Sequence, residues 1–184
     1  MKLSTLYSLP FTAPSWSEVE RANPRLAVFY ASIVLPLSLL PPAMLYLEGA
    51  TFFSPWLANA ATRDWGTLAI DFFITEVICL ALMGWFIRKM ADAEDFRMNN
   101  HDAYLLAGVA PIPLWLSSLG MLVPSLALNV VISLIAFGLS CGIIYHGVSG
   151  FTHNQENVRA AGVAHTVMSA GLLAWVLLLV MIVL

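Results

Sequence analysis

Five long apolar runs divide the chain, separated by short polar segments. They cover about residues 26–47, 66–87, 103–123, 126–145 and 159–184. Each is close to the roughly 20 residues that a helix needs to cross about 30 Å of hydrocarbon. Only Pro124 and Ser125 separate the third run from the fourth. A single helix through both would be about twice the length a bilayer accommodates, so a hairpin is expected there. In hydrocarbon each backbone N–H and C=O must be bonded internally, which makes the runs helices. The pattern predicts an all-α polytopic membrane protein in which residues 25–184 form a single five-helix transmembrane domain.

Prolines modify two of the runs. Pro36 and the pair Pro41-Pro42 fall in the first, and Pro111 and Pro113 in the third. A proline lacks an N–H and clashes with the carbonyl four residues back, so Ala107 and Val109 are expected to lose their usual partners. Such orphans are tolerated in a membrane where protein, hydroxyl groups or water satisfy them. The first and third spans should therefore bend, and the third should be buried with the others packed around it.

Residues 1–24 read as a short cytoplasmic segment. Ser15 with Glu18 three residues later, just after Pro14, is a capping-box pattern for a short interfacial helix over 16–23, with Trp16 and Val19 at headgroup level. The segment lacks the sustained apolar core and small-residue cleavage site of a signal peptide. In the loop over 48–65, Phe52, Phe53, Trp56 and Trp65 are expected to be interface anchors.

Composition agrees with this pattern: 60% of residues are hydrophobic and only 10% charged, where soluble chains have roughly 25% charged. Mean hydropathy is +0.83. The positions of the charges set an orientation. With the N-terminus in the cytoplasm, that side receives Lys2, Arg21, Arg25, Arg88, Lys89, Arg97 and Arg159, and the far side only Arg63. Lys and Arg concentrate on the cytoplasmic side of membrane proteins, so the N-terminus is expected inside and the C-terminus outside. No basic stripe exists for nucleic acid. Cys79 and Cys141 lie in different apolar runs and read as small core residues rather than a disulfide.

One stretch carries a family resemblance. The third span opens Asp102-Ala103-Tyr104 and continues Ala110-Pro111-Ile112-Pro113-Leu114-Trp115-Leu116. With Pro124 and the Tyr145-x-Gly147 exit of the fourth span, it resembles the Yip (Ypt-interacting protein) family over about residues 15–184. For eukaryotic members the resemblance implies small-GTPase binding, vesicle traffic and a long cytoplasmic N-terminal region. The short lead here departs from that and points to the family's bacterial inner-membrane branch. The resemblance carries over no catalytic residue.

Within the spans, Asp71 and Glu76 stand out as intramembrane polar residues, since an acid near the bilayer centre costs about 2.5–3.5 kcal/mol on insertion scales. At 100° per residue they lie about 140° apart and do not share a face. Glu76 is expected either to hydrogen-bond a neighbouring helix, at carbonyls freed by Pro36, Pro41 or Pro42, or to serve a proton or ion path. His101, His146, His153 and His165 all fall towards the cytoplasmic side and make a weak metal-site pattern, without the paired spacing of a metal motif. Gly138-x3-Gly142, together with the small-residue stripe Gly162, Thr166, Ala170 and Ala174, predicts close helix packing within the chain or a homo-oligomer seam. No nucleophile elbow, phosphate loop or haem-ligating pair emerges, so neither an enzyme nor a cofactor is expected. The leading expectation is a bilayer-embedded interaction or scaffold protein with a cytoplasmic or membrane protein partner. The alternative is a small transporter, channel or lipid-handling protein built on Glu76, Asp71 and the proline-broken helices.

Overall fold

The computed structural model describes residue 16 and residues 24–57, 59–96, 98–151 and 157–183. Five helices are long and apolar enough to cross a membrane: α1 (Leu26–Phe53), α2 (Trp65–Ala93), α3 (Asn100–Leu122), α4 (Leu126–Phe151) and α5 (Asn157–Val183). The protein is an all-α multi-pass membrane protein, as the pattern of apolar runs predicts.

Three of the helices extend well past their apolar runs, and local chemistry explains how. Asp64 caps α2: its Oδ1 accepts from the amides of Gly66 and Thr67 at 3.0 and 3.1 Å, and its Oδ2 from the Thr67 hydroxyl at 2.6 Å. At the other end α2 continues through Arg88, which pairs with Asp92 one turn on. It then stops in a Schellman turn. Asp95 takes the left-handed conformation at φ 59°, the Asp95 amide donates to Asp92 O at 3.2 Å, and the Phe96 amide donates to Ala91 O at 2.9 Å. The polar segment after the apolar run 66–87 is thus helical as far as Ala93. Asn99 caps α3, accepting from the Asp102 amide at 2.8 Å. The fourth helix runs on to Phe151 because Gly147, Val148, Gly150 and Phe151 are buried; His146 is helical, not in a loop.

The prolines interrupt helical bonding locally. In α1 a π-helical turn, Tyr30–Val34, precedes Pro36. Such a wide turn relieves the encroachment of the ring on the carbonyl four residues back. Bonding breaks again at Leu39, and helix restarts at Leu40 with Pro41 in its first turn, where a missing N–H costs nothing. In α3 the first helical segment ends at Val109, Ala110 and Pro111 form a turn, and helix resumes at Ile112 before a final 3-10 turn, Ser118–Leu122.

Helix α2 packs on α1, α3 and α5, while α3 packs on α1, α2 and α4, and α4 on α5. The second and third helices therefore share the centre, a correction to the expectation of α3 alone. Around the ring α2–α3–α4–α5 the neighbours pack, but the diagonals α2–α4 and α3–α5 make no more than marginal contact. Apolar cores lie at both ends of the bundle. At the end bearing Arg88, buried Ile87, Ala91, Leu106, Val148 and Val167 belong to one core. At the opposite end Leu45, Trp65, Leu68, Phe72 and Ile182 form another.

Candidate functional site

The first feature of the site is an acid on α2. Glu76 is buried, only 5% exposed, and lies three turns into the helix. The Trp115 indole Nε1 of α3 donates to its Oε1. Its partner is therefore an indole of the third span, and not a carbonyl freed by the prolines of α1 as the sequence suggests. Trp115 sits on the helical segment that resumes after Pro111 and is itself 2% exposed. Tyr104 and Trp115 are 11 residues, about three helical turns, apart, so both side chains fall on the face of α3 that meets α2, at Gly84 and Glu76. Oε2 of Glu76 is buried without a hydrogen-bond partner among the described residues, and so is Oγ of Ser140 on α4.

Glu76, Trp115 and Ser140 all line a cavity of about 370 Å³ that all five helices wall, α1 through Pro41, Leu45, Phe52 and Phe53. Cys79 and Cys141 also line it, as free thiols. Its remaining wall is largely apolar and rich in aromatic rings; Phe137 and Trp175 stack there with centroids 5.4 Å apart. Asp71 does not join the site. It is exposed on α2, and its carbonyl accepts from the Thr75 hydroxyl at 2.8 Å.

The other residues of the third-span motif are structural fasteners at the Arg88 end. Asp102 is 4% exposed, with Oδ1 lying 3.2 Å from His101 Nδ1. His101 Nε2 donates to the Pro24 carbonyl at 2.7 Å, tying the entry of α1 to α3. Ala103 is fully buried. The Tyr104 ring lies against Gly84 so closely that a Cβ there would overlap it, and the Tyr104 carbonyl accepts from Tyr30 Oη at 2.8 Å.

The histidine cluster does not assemble among the described residues. His101 is engaged as above, His146 packs edge-on to Tyr145, and His165 is exposed with Nδ1 donating to Ala161 O at 2.6 Å. His153 lies outside the described residues. Among those described, no group of three or more His, Cys, Asp or Glu side chains is placed to hold a metal. Of the two readings of the small-residue glycines, packing within the chain is corrected. A Cβ on Gly138, Gly142 or Gly162 would meet nothing within 4 Å, so this stripe does not pack inside the chain. The glycines that do allow close approach are Gly49 under Trp65, Gly84 under Tyr104 and Gly147 against Leu106. Two aromatic expectations change as well. Phe52 is buried, Trp65 is buried in the core opposite the Arg88 end and only Trp56 is well exposed, while Trp16 is buried with its ring edge-on to Phe151 at 5.3 Å.

These observations define a multi-pass helical membrane protein with an acid-bearing cavity at its centre. The Yip1 domain family model matches residues 8–179, and the chain belongs to that family. Neither a search of curated proteins nor a search of solved structures finds a match.

Proposed function

We propose that this Yip-type membrane protein is a non-enzymatic scaffold that binds a protein partner at the end bearing Arg88. We place it in a bacterial inner membrane with that end in the cytoplasm, following the distribution of Lys and Arg. The observation that supports partner binding is the turn joining α2 and α3. Asp92, Glu94 and Asp95 project outward from it, exposed. Beneath them Ala91, Phe96 and Met98 are buried in the core, and the Schellman bonds hold the backbone. A charged epitope on a fixed backbone loses little entropy on docking, which favours recognition by a protein with a basic surface.

The test is co-purification from native membranes in mild detergent. Reversing Glu94 and Asp95 to Lys should release a stoichiometric partner, while reversing Glu48 at the opposite end should not. A protein that purifies alone, or a partner indifferent to both reversals, refutes this reading.

A second reading, handling of a small molecule within the membrane, is favoured by the cavity that Glu76 lines. Intramembrane acids facing a bundle interior commonly mark ligand or ion sites.

A further inference from the structure

The walls of the Glu76 cavity are chemically one-sided. Among the described residues, Glu76 is the only charged side chain that lines it. The described basic residues Arg25, Arg63, Arg88, Lys89 and Arg159 all sit at or near helix ends and contribute nothing to the wall. The acid therefore has no described cation beside it in the low-dielectric centre of the bundle. Phe72, Trp115, Phe137 and Trp175 also line the cavity, and the face of an aromatic ring attracts a cation through its quadrupole. Two polar atoms of the lining residues lack any partner among the described residues: Glu76 Oε2 and Ser140 Oγ. Buried polar groups in native proteins are ordinarily satisfied, so each orphan calls for a missing partner. The volume of about 370 Å³ falls in the range of about 300–1,000 Å³ usual for small-molecule sites.

We propose that this cavity is a binding site for a lipophilic organic cation, an apolar body carrying one positive charge. Glu76 is the counter-ion, the aromatic walls take the apolar body, and Ser140 Oγ accepts from the N–H of a protonated amine where the ligand has one. An anion would face the carboxyl group with no basic residue to receive it. A purely apolar ligand would leave both orphan oxygens as they are. This assignment rests on the small-molecule reading above and narrows it to one ligand class.

The experiment uses two ions of the same shape and opposite charge, tetraphenylphosphonium and tetraphenylborate, in equilibrium dialysis against the full-length protein in mild detergent. We expect saturable binding of the phosphonium at one site per chain, weakened by about tenfold or more in Glu76→Gln, and no saturable binding of the borate. If both ions bind equally, or the borate binds better, or the glutamine variant binds the phosphonium as well as wild type, the cation assignment falls and small-molecule handling stands. If neither ion binds wild type, both fall. Should Glu76→Gln not fold, the wild-type protein decides the matter through dicyclohexylcarbodiimide, which labels membrane-buried carboxyl groups. Phosphonium should protect Glu76 from labelling, read by peptide mass spectrometry, and the absence of protection overturns the assignment.

Discussion

Replacing Trp115 with Phe isolates the contact on which the centre of the bundle turns. The variant keeps an aromatic ring in place and deletes the Nε1–H that donates to Glu76. Because Oε2 already lacks a partner among the described residues, the change leaves the whole carboxyl group unsatisfied. An unpaired buried acceptor costs about 1–3 kcal/mol, more if charged. Interhelical hydrogen bonds measured by double-mutant cycles in a membrane protein average only about 0.6 kcal/mol, with a maximum near 1.7, because the displaced groups find other partners. Among the described residues Glu76 has no second hydrogen-bond partner, so the upper part of that range, about 1–1.7 kcal/mol, is expected for the coupling.

Trp115→Phe also removes ring atoms from a buried site, a packing loss of about 1–2 kcal/mol by comparison with other large-to-small changes. Making the same change in a Glu76→Leu background separates the two effects, since there the indole has no acceptor to lose. Unfolding free energies of wild type, both single variants and the double variant, measured by SDS titration in mixed micelles, complete the cycle. Trp115→Phe should cost more in the wild-type background than in the Glu76→Leu background by the coupling energy. Additivity within about 0.3–0.5 kcal/mol would mean that the indole merely packs beside the acid, and the reasoning would be wrong.

Other substitutions test the local physics of the fold. Asp95→Gly should stabilise the protein by up to about 1 kcal/mol, because the left-handed position at φ 59° carries no Cβ penalty in glycine; a loss of stability would refute the Schellman assignment. Gly84→Ala should cost about 1–3 kcal/mol through overlap with the Tyr104 ring, whereas Gly138→Ala and Gly142→Ala should stay within about 0.5 kcal/mol of wild type or gain slightly. Equal costs at the three glycines would restore the packing-stripe expectation. The Asp64 carboxyl is held below the usual carboxylate range, first by the Thr67 hydroxyl and then by the amides of Thr67 and Gly66. A depressed acid stabilises the fold above its unfolded pKa and loses that contribution as pH falls through its folded value. Asp64→Ala should therefore lower Tm at neutral pH, and its deficit should shrink only as pH falls below about 4.

The number of spans, their approximate places and the family were legible in the sequence because they depend on sustained hydropathy and one local motif. The helix ends were not, because hydropathy says nothing about capping. Asp64, Asn99 and the Asp92–Asp95 turn lie in polar segments that read as loop, yet each supplies the bonds that extend or stop a helix. Glu76 stood out as an acid in an apolar run, but its partner did not. The sequence separation from Trp115 is 39 residues, and hydropathy does not say which faces of α2 and α3 meet. As a surface for packing inside the chain, the small-residue stripe misled for a related reason. Glycine spacing marks a surface capable of close approach, but the faces actually used were set by Trp65, Tyr104 and Leu106, bulky partners on other helices.

The proline-interrupted stretch and the buried acid are thus parts of one arrangement. Tyr104 and Trp115 are 11 residues apart, within about 20° of one another in the helical projection, so one face of α3 meets α2 at both Gly84 and Glu76. The prolines end the first segment at Val109 and open the second at Ile112, with Ala110 and Pro111 between them still in the right-handed helical region. Both segments meet α2 and α4: the first through Tyr104 on Gly84 and Leu106 on Gly147, the second through Trp115 on Glu76 and its packing against α4. With α4 and α5 held off the diagonals, the two segments enclose a space and do not close it. Filling that space with aliphatic side chains would satisfy packing without an acid at all. Retaining Glu76, with one oxygen held by Trp115 and the other unpartnered among the described residues, makes physical sense for a cavity whose contents carry the complementary charge.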